Sequence, residues 1–210
     1  MLLQEVTELI FKEEESMSIS LTKGQKISLS KEVAGLSEVV VGLGWDVAKQ
    51  KKGLFGGTYT PDIDCDASAI TLDGNGKARK TAYYGNKIIE MNSIVHHGDN
   101  LTGAGDGDDE QITVKLASMP NEVDKVVFVV NIFACQSRKQ HFGMIENAFI
   151  RLVDKSTGKE ICKYNLSDDY KNKTAMIFGE LYKHNGEWKF NAIGQGTDDT
   201  SVEQLVNRYR

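Results

Sequence analysis

The sequence of 210 residues predicts a mainly β fold, an antiparallel two-sheet β-sandwich with a few short helices. Three observations predict it. Apolar and β-branched residues come in short runs, as at 126–130 and 148–153, of a length typical of strands. Clusters of Gly, Asn, Ser and Pro separate the runs, and they include the Asn185-Gly186 pair that favours a tight hairpin. Helical periodicity is confined to the ends of the chain. A chain of this length buries one sizeable core, so a single domain over 17–210 is expected. Residues 1–16 are read as an N-terminal extension, disordered or weakly helical, with Leu2, Val6, Leu9 and Ile10 on one face.

Strands are expected at 19–21, 26–29 and 39–46, the last ending in Gly44-Trp45-Asp46. The Lys- and Gly-rich segment 48–61 reads as a flexible loop. At 62–70 the alternation puts Asp62, Asp64 and Asp66 on one face and Ile63, Cys65 and Ala67 on the other, because successive strand side chains point to opposite sides. Asp73-Gly74-Asn75-Gly76 then turns the chain into a strand at 77–84. Strands at 112–116 and 125–133 flank a turn at Met119-Pro120-Asn121, and the second is apolar enough for the middle of a sheet. A single helical turn is expected at 142–146, hairpins at 148–164 and 175–193, and an amphipathic helix at 200–209.

The chemistry concentrates at 98–110, where five carboxylates and four glycines fall within thirteen residues. No Lys or Arg stands between Lys87 and Lys115 to neutralise them. Glycines let a backbone turn tightly enough to aim several oxygens at one point, which is the requirement of a hard divalent cation. Ca²⁺ suits this best, since it accepts about 6–8 oxygens in flexible geometry, whereas Mg²⁺ keeps most of its waters. Asp62-Ile63-Asp64-Cys65-Asp66 opens like an EF-hand loop, but Ala67 stands where that loop needs Gly and Asp73 where it needs Glu. His96 and His97 are read as hydrogen-bonding residues, because Ca²⁺ does not favour imidazole. Asp46 and Asp62 are left open as ligands.

Composition excludes several classes. Acids outnumber bases by 30 to 25, giving a net charge of −5, and no basic stripe is present, so nucleic-acid binding is not expected. Three cysteines without C-x-x-C spacing suggest neither a zinc site nor a disulfide framework, and a reducing cytoplasm is expected. No apolar run approaches the roughly 20 residues of a membrane helix, so direct membrane insertion is not expected. Phosphate-binding glycine motifs and a nucleophile elbow are absent.

With Gly42-Leu43-Gly44-Trp45-Asp46, Asp64-Cys65-Asp66-Ala67-Ser68-Ala69 and His97-Gly98-Asp99-Asn100-Leu101-Thr102-Gly103 leading into Gly107-Asp108-Asp109-Glu110, the sequence resembles the TerD family of tellurite-resistance proteins. Residues 123–130, 148–153, 178–182 and 184–190 extend the resemblance, which covers about 17–196. It implies a cytoplasmic β-sandwich that binds Ca²⁺, has no established catalytic activity, and serves in resistance to tellurite, phage and colicins. The ligands it implies are Asp64, Asp66, Asp99, Asn100, Asp106, Asp108, Asp109 and Glu110. Eight side chains exceed what one ion needs, so one or two ions are expected. Partners among other tellurite-resistance proteins, including a membrane-bound complex, are also implied. The sequence departs from the family at the long 49–60 loop and at Tyr83-Tyr84-Gly85-Asn86. The alternative function is a metal-dependent hydrolase of phosphate esters or oxyanions, disfavoured because no cationic cluster stands near the acidic loop to hold an anion.

Overall fold

The structure, a computed structural model, describes residues 18–51, 56–98, 107–166 and 168–210, together with the Asp99 backbone. The expected extension at 1–16, and part of the long loop at 49–60, lie outside the described residues.

Two sheets face each other, as expected of a sandwich. One comprises β1 (Ile19–Leu21), β3 (Glu38–Val47), β8 (Ile88–Ile89), β9 (Ile94–Asp99), β10 (Glu110–Lys115), β12 (Ile145–Asp154) and β13 (Glu160–Asn165), in the order β1-β13-β12-β3-β10-β9-β8. The other comprises β2 (Lys26–Ser28), β6 (Cys65–Leu72), β7 (Ala78–Ala82), β11 (Lys125–Ile132), β14 (Ala175–His184) and β15 (Glu187–Thr197), in the order β2-β15-β14-β11-β6-β7. The ladders are antiparallel except at one edge, where β1 runs parallel to β13. As its apolar sequence requires, β11 lies between β6 and β14 and is buried on both faces.

Alternation decides which residues meet between the sheets. Val39, Val41 and Leu43 of β3, with Ile112, Val114, Ile150 and Leu152, face Ala67, Ala69, Val126, Phe128, Val130 and Phe178. A second apolar cluster lies on the outer side of the six-stranded sheet. There Ile70, Leu72, Val127, Val129 and Ile177 are covered by Leu205 of the C-terminal helix Val202–Asn207. Ser201 caps that helix by accepting from the Gln204 N–H. Asn185 and Gly186 take φ of 54° and 78°, the pair of positive values a tight hairpin between β14 and β15 demands.

Several details differ from expectation. Segment 48–61, read as plain loop, carries a small ribbon of β4 (Gln50–Lys51) and β5 (Thr58–Tyr59). Strands β8 and β9 escaped prediction, because Glu90, Asn92 and the paired histidines break the apolar alternation. The strand expected at 62–70 begins at Cys65, so Asp62 and Asp64 precede it. The helical turn expected at 142–146 is the 3-10 turn Phe142–Met144.

Candidate metal centre

The run Asp108-Asp109-Glu110 enters β10 beside the end of β3, and its three carboxylates take three different directions. Glu110 is the first residue of β10 and points between the sheets, where it is 3% exposed. There it meets His96 of β9, with Nε2 3.0 Å from Oε2. The same Nε2 lies 3.1 Å from the carbonyl of Ala67 in the opposite sheet, while the Gly98 N–H donates to Nδ1 at 3.0 Å. Nδ1 therefore accepts, and the ring proton sits on Nε2. His96 thus ties the start of the acidic loop to its end and to the strand that follows Asp64.

Asp109 is held at the edge of β3. Its N–H donates to the Leu43 carbonyl at 2.8 Å, and its Oδ2 accepts from the Trp45 N–H at 2.7 Å. Burial pushes its carboxyl above the usual range; the Trp45 bond opposes this, and Asp46 and Asp108 add to it.

Asp108 turns the opposite way, onto the outer face of the seven-stranded sheet, where its side chain is 1% exposed. Arg151 of β12 donates to it through Nε at 2.6 Å and Nη2 at 3.0 Å, a forked pair, and Gln111 Nε2 donates at 3.0 Å. A third Arg151 nitrogen reaches Glu160 at 3.2 Å. The guanidinium is in turn raised further by its bond to Asp108. Glycine makes this possible. A Cβ at position 42 would fall 2.2 Å from the Asp108 carboxyl carbon, and one at position 44 would fall 2.5 Å from the Phe149 ring.

On the other sheet, Asp64 precedes β6 and Asp66 lies within it, flanking the buried thiol of Cys65. Burial raises that thiol well above its ordinary range, and Asp66, Asp64, Glu110 and Asp109 raise it further. The charges of these four acids are felt at Cys65, but strand alternation turns Asp66 to the outer face of its sheet, away from the thiol, whereas Glu110 points between the sheets. Asp108 does not join them, because its carboxylate serves Arg151. Asp99 is placed opposite Glu110 in the β9–β10 ladder, while Asn100 and Asp106 lie outside the described residues. Of the two acids left open, Asp62 is exposed and Asp46 is exposed with its Oδ2 accepting from the Asn147 amide at 2.8 Å. Among the described residues, no three His, Cys, Asp or Glu side chains stand close enough together to hold an ion by themselves. Arg151 escaped sequence reasoning. It stands 43 residues from Asp108, on a strand whose alternation reveals only that it faces outward.

A family profile, the TerD domain, matches residues 17–209. A stress response protein of Bacillus subtilis, SCP2, is 51% identical over 199 residues, spanning 92% of this chain and 100% of its own. The tellurium resistance protein TerD of Serratia marcescens is 49% identical over 183 residues, spanning 86% of this chain and 91% of its own. A crystal structure of a Streptomyces coelicolor homologue of telluride resistance protein (TerD) superposes with a TM-score of 0.63 at 20% identity, covering 84% of this chain and 99% of that one. At that identity the likeness speaks for the fold alone.

Proposed function

This chain belongs to the TerD family, and from that premise we propose that it is a calcium-binding, non-enzymatic stress-response protein of the tellurium-resistance kind. In this reading Ca²⁺ orders the acidic end of the sandwich and so presents a surface to partners. The observation that supports it is the burial of two adjacent carboxylates of the acidic run, Asp109 and Glu110, 8% and 3% exposed, where Asp99 stands opposite Glu110 in the β9–β10 ladder. The donors fit the ion. All are hard oxygens, and the burial that disfavours a charged Asp109 is the kind of cost a bound cation offsets.

Asp64, Asp66, Asp99, Asp109 and Glu110 would hold the ion from within or beside the strands, with Asn100 and Asp106 contributing from the stretch between β9 and β10. When bound, the ion supplies the positive charge that cancels repulsion between the two sets of carboxylates. The chain's own residues provide the frame. Arg151 anchors the far end of the loop through Asp108, Trp45 orients Asp109, and His96 holds Glu110 against the opposite strand.

The names of the relatives support the biological part of the proposal, and other tellurium-resistance proteins are the partners it implies. A cytoplasmic place of action belongs to the same proposal, supported by three buried cysteines that form no disulfide. No helix among the described residues is long and apolar enough to cross a membrane.

Calorimetric titration of the chelator-stripped chain with CaCl₂ and, separately, MgCl₂ tests the proposal. Saturable Ca²⁺ binding with a raised Tm and a weak Mg²⁺ response is expected. At a hundredfold excess over Kd the gain is about 2.7 kcal/mol. A chain that binds neither ion, or Mg²⁺ as tightly as Ca²⁺, sinks the calcium reading.

A further inference from the structure

Beyond the start of the C-terminal helix, the outer face of the six-stranded sheet opens into a cleft of about 200 Å³. Its inner part is polar. Asp66 and Ser68 sit on the same side of β6, and Asn131 stands directly opposite Asp66 in the β6–β11 ladder. Ser68 is 1% exposed, and its Oγ has no hydrogen-bond partner among the described residues, while Asn131 is 5% exposed. A buried hydroxyl left without a partner costs free energy, and a cleft lined by such a group is suited to a ligand that supplies the missing bond.

The rim is aromatic. Tyr83 and Tyr84 meet edge to face with centroids 5.4 Å apart, and Tyr84 and Phe133 remain about half exposed, 52% and 47%. Among the described residues that line the cleft Asp66 carries the charge, and a carboxylate there favours a cationic ligand over an anionic one. The rim already receives such a group, because Arg138 of the chain itself lies 5.7 Å over the Phe133 ring.

We propose that this cleft binds a guanidinium group, carried either by the arginine of a peptide or by a free alkylguanidine. A guanidinium is planar, always charged, and offers five N–H donors and no acceptor. The inner part of the cleft offers the complement: the Asp66 carboxylate, the Asn131 amide oxygen and the Ser68 hydroxyl oxygen. The aromatic rim takes the flat face through cation–π and stacking contact. An alkylammonium ion has fewer donors and no plane to stack, and binds more weakly. The site is independent of the proposed calcium role except at Asp66, which serves both.

The test is a two-dimensional NMR titration of the isotopically labelled full chain, stripped with chelator and again with Ca²⁺ present. The probes are ethylguanidinium chloride, ethylammonium chloride as the control, and a short arginine-containing peptide. Saturable shifts at the amides of Ser68, Tyr84 and Asn131 are expected in the millimolar range that so small a ligand reaches. Asp66→Asn should weaken binding about tenfold, as loss of a charge-assisted pair implies. Tyr84→Ala, at an exposed position that leaves the fold intact, should weaken it about threefold.

Tighter binding of the peptide identifies a protein partner, and equal binding identifies a free small molecule. Absent or unsaturable shifts overturn the proposal, as does equal response to ethylammonium or unchanged affinity in both variants. Ser68 would then simply be satisfied by water. Because the chelated arm needs no calcium, failure here with intact Ca²⁺ binding leaves the calcium reading standing, and the converse outcome separates them equally well.

Discussion

At Asp109, burial and charge oppose each other. Its folded carboxyl titrates above its unfolded value, so folding favours the protonated form. The stabilisation this brings is present below the unfolded carboxylate range and is lost as pH rises through the folded value. The metal-free chain therefore carries the cost of that charge at neutral pH. Asp109→Asn keeps an oxygen to accept from Trp45 and removes the charge. Urea unfolding in chelator at pH 7 should then show a higher midpoint than wild type, and the gain from added Ca²⁺ should shrink; an unchanged calcium gain would remove Asp109 from the ligand set. Arg151 poses the opposite case, since Arg151→Met strands the Asp108 carboxylate in a site where it is 1% exposed. A loss of about 3 kcal/mol is expected, the scale for an orphaned buried charge. Adding Asp108→Asn should recover part of it in a double-mutant cycle by chemical denaturation.

Two elements have shapes that only particular residues permit. Strand β3 passes beneath Asp108 at Gly42, where a methyl group would occupy the carboxylate's own position. Gly42→Ala should eject Asp108 from Arg151. Its cost should overlap with that of Arg151→Met, so that the double variant loses clearly less than the sum, measured by urea unfolding. The 3-10 turn Glu90–Asn92 is a different kind of constraint. Glu90, Met91 and Asn92 all take positive φ, 47°, 52° and 67°, a conformation that costs a side-chain-bearing residue roughly 1 kcal/mol or more. The turn is held by Glu90, 2% exposed, which accepts from Thr71 Oγ1 at 2.8 Å and lies 3.5 Å from both Arg79 and Lys80. Met91, at its tip, is 81% exposed. Met91→Gly should therefore raise stability by about 0.5–1 kcal/mol, since glycine adopts that φ without strain; a thermal melt showing a loss would mean that Met91 makes a contact worth more than the strain.

On the scale of the whole molecule, the sandwich brings its most acidic residues to one end and divides them between two sheets. Cation binding there would join the sheets as well as order a loop. All three cysteines are buried, and Cys65 stands between Asp64 and Asp66 in the chain. A thiol reagent should therefore label the native chain only as it opens, and Ca²⁺ should slow the labelling of Cys65 in proportion to the stability it adds. Mass spectrometry of timed samples reads this site by site. Equal Cys65 rates in calcium and in chelator would place the ion elsewhere.

Much of this was legible in the sequence, for a physical reason. Strand alternation, the Asn185-Gly186 hairpin and the apolar run at the centre of β11 are local patterns, and local patterns fix which residues face inward and where the chain turns. The glycine-rich acidic run and the Asp64/Asp66 pair could likewise be singled out, because like charges without nearby bases are costly wherever they occur. Strands β8 and β9 were hidden, since the pairing of β9 with β10, and of β8 with β9, overrides a weak local preference. What the tertiary structure alone decided is how the acids are divided. Asp108 goes to Arg151 on the outer face, Asp109 to the edge of β3, and Glu110 to His96 between the sheets. Those partners are set by strand order and register, which arise from pairing between distant segments, and no spacing along the chain encodes them.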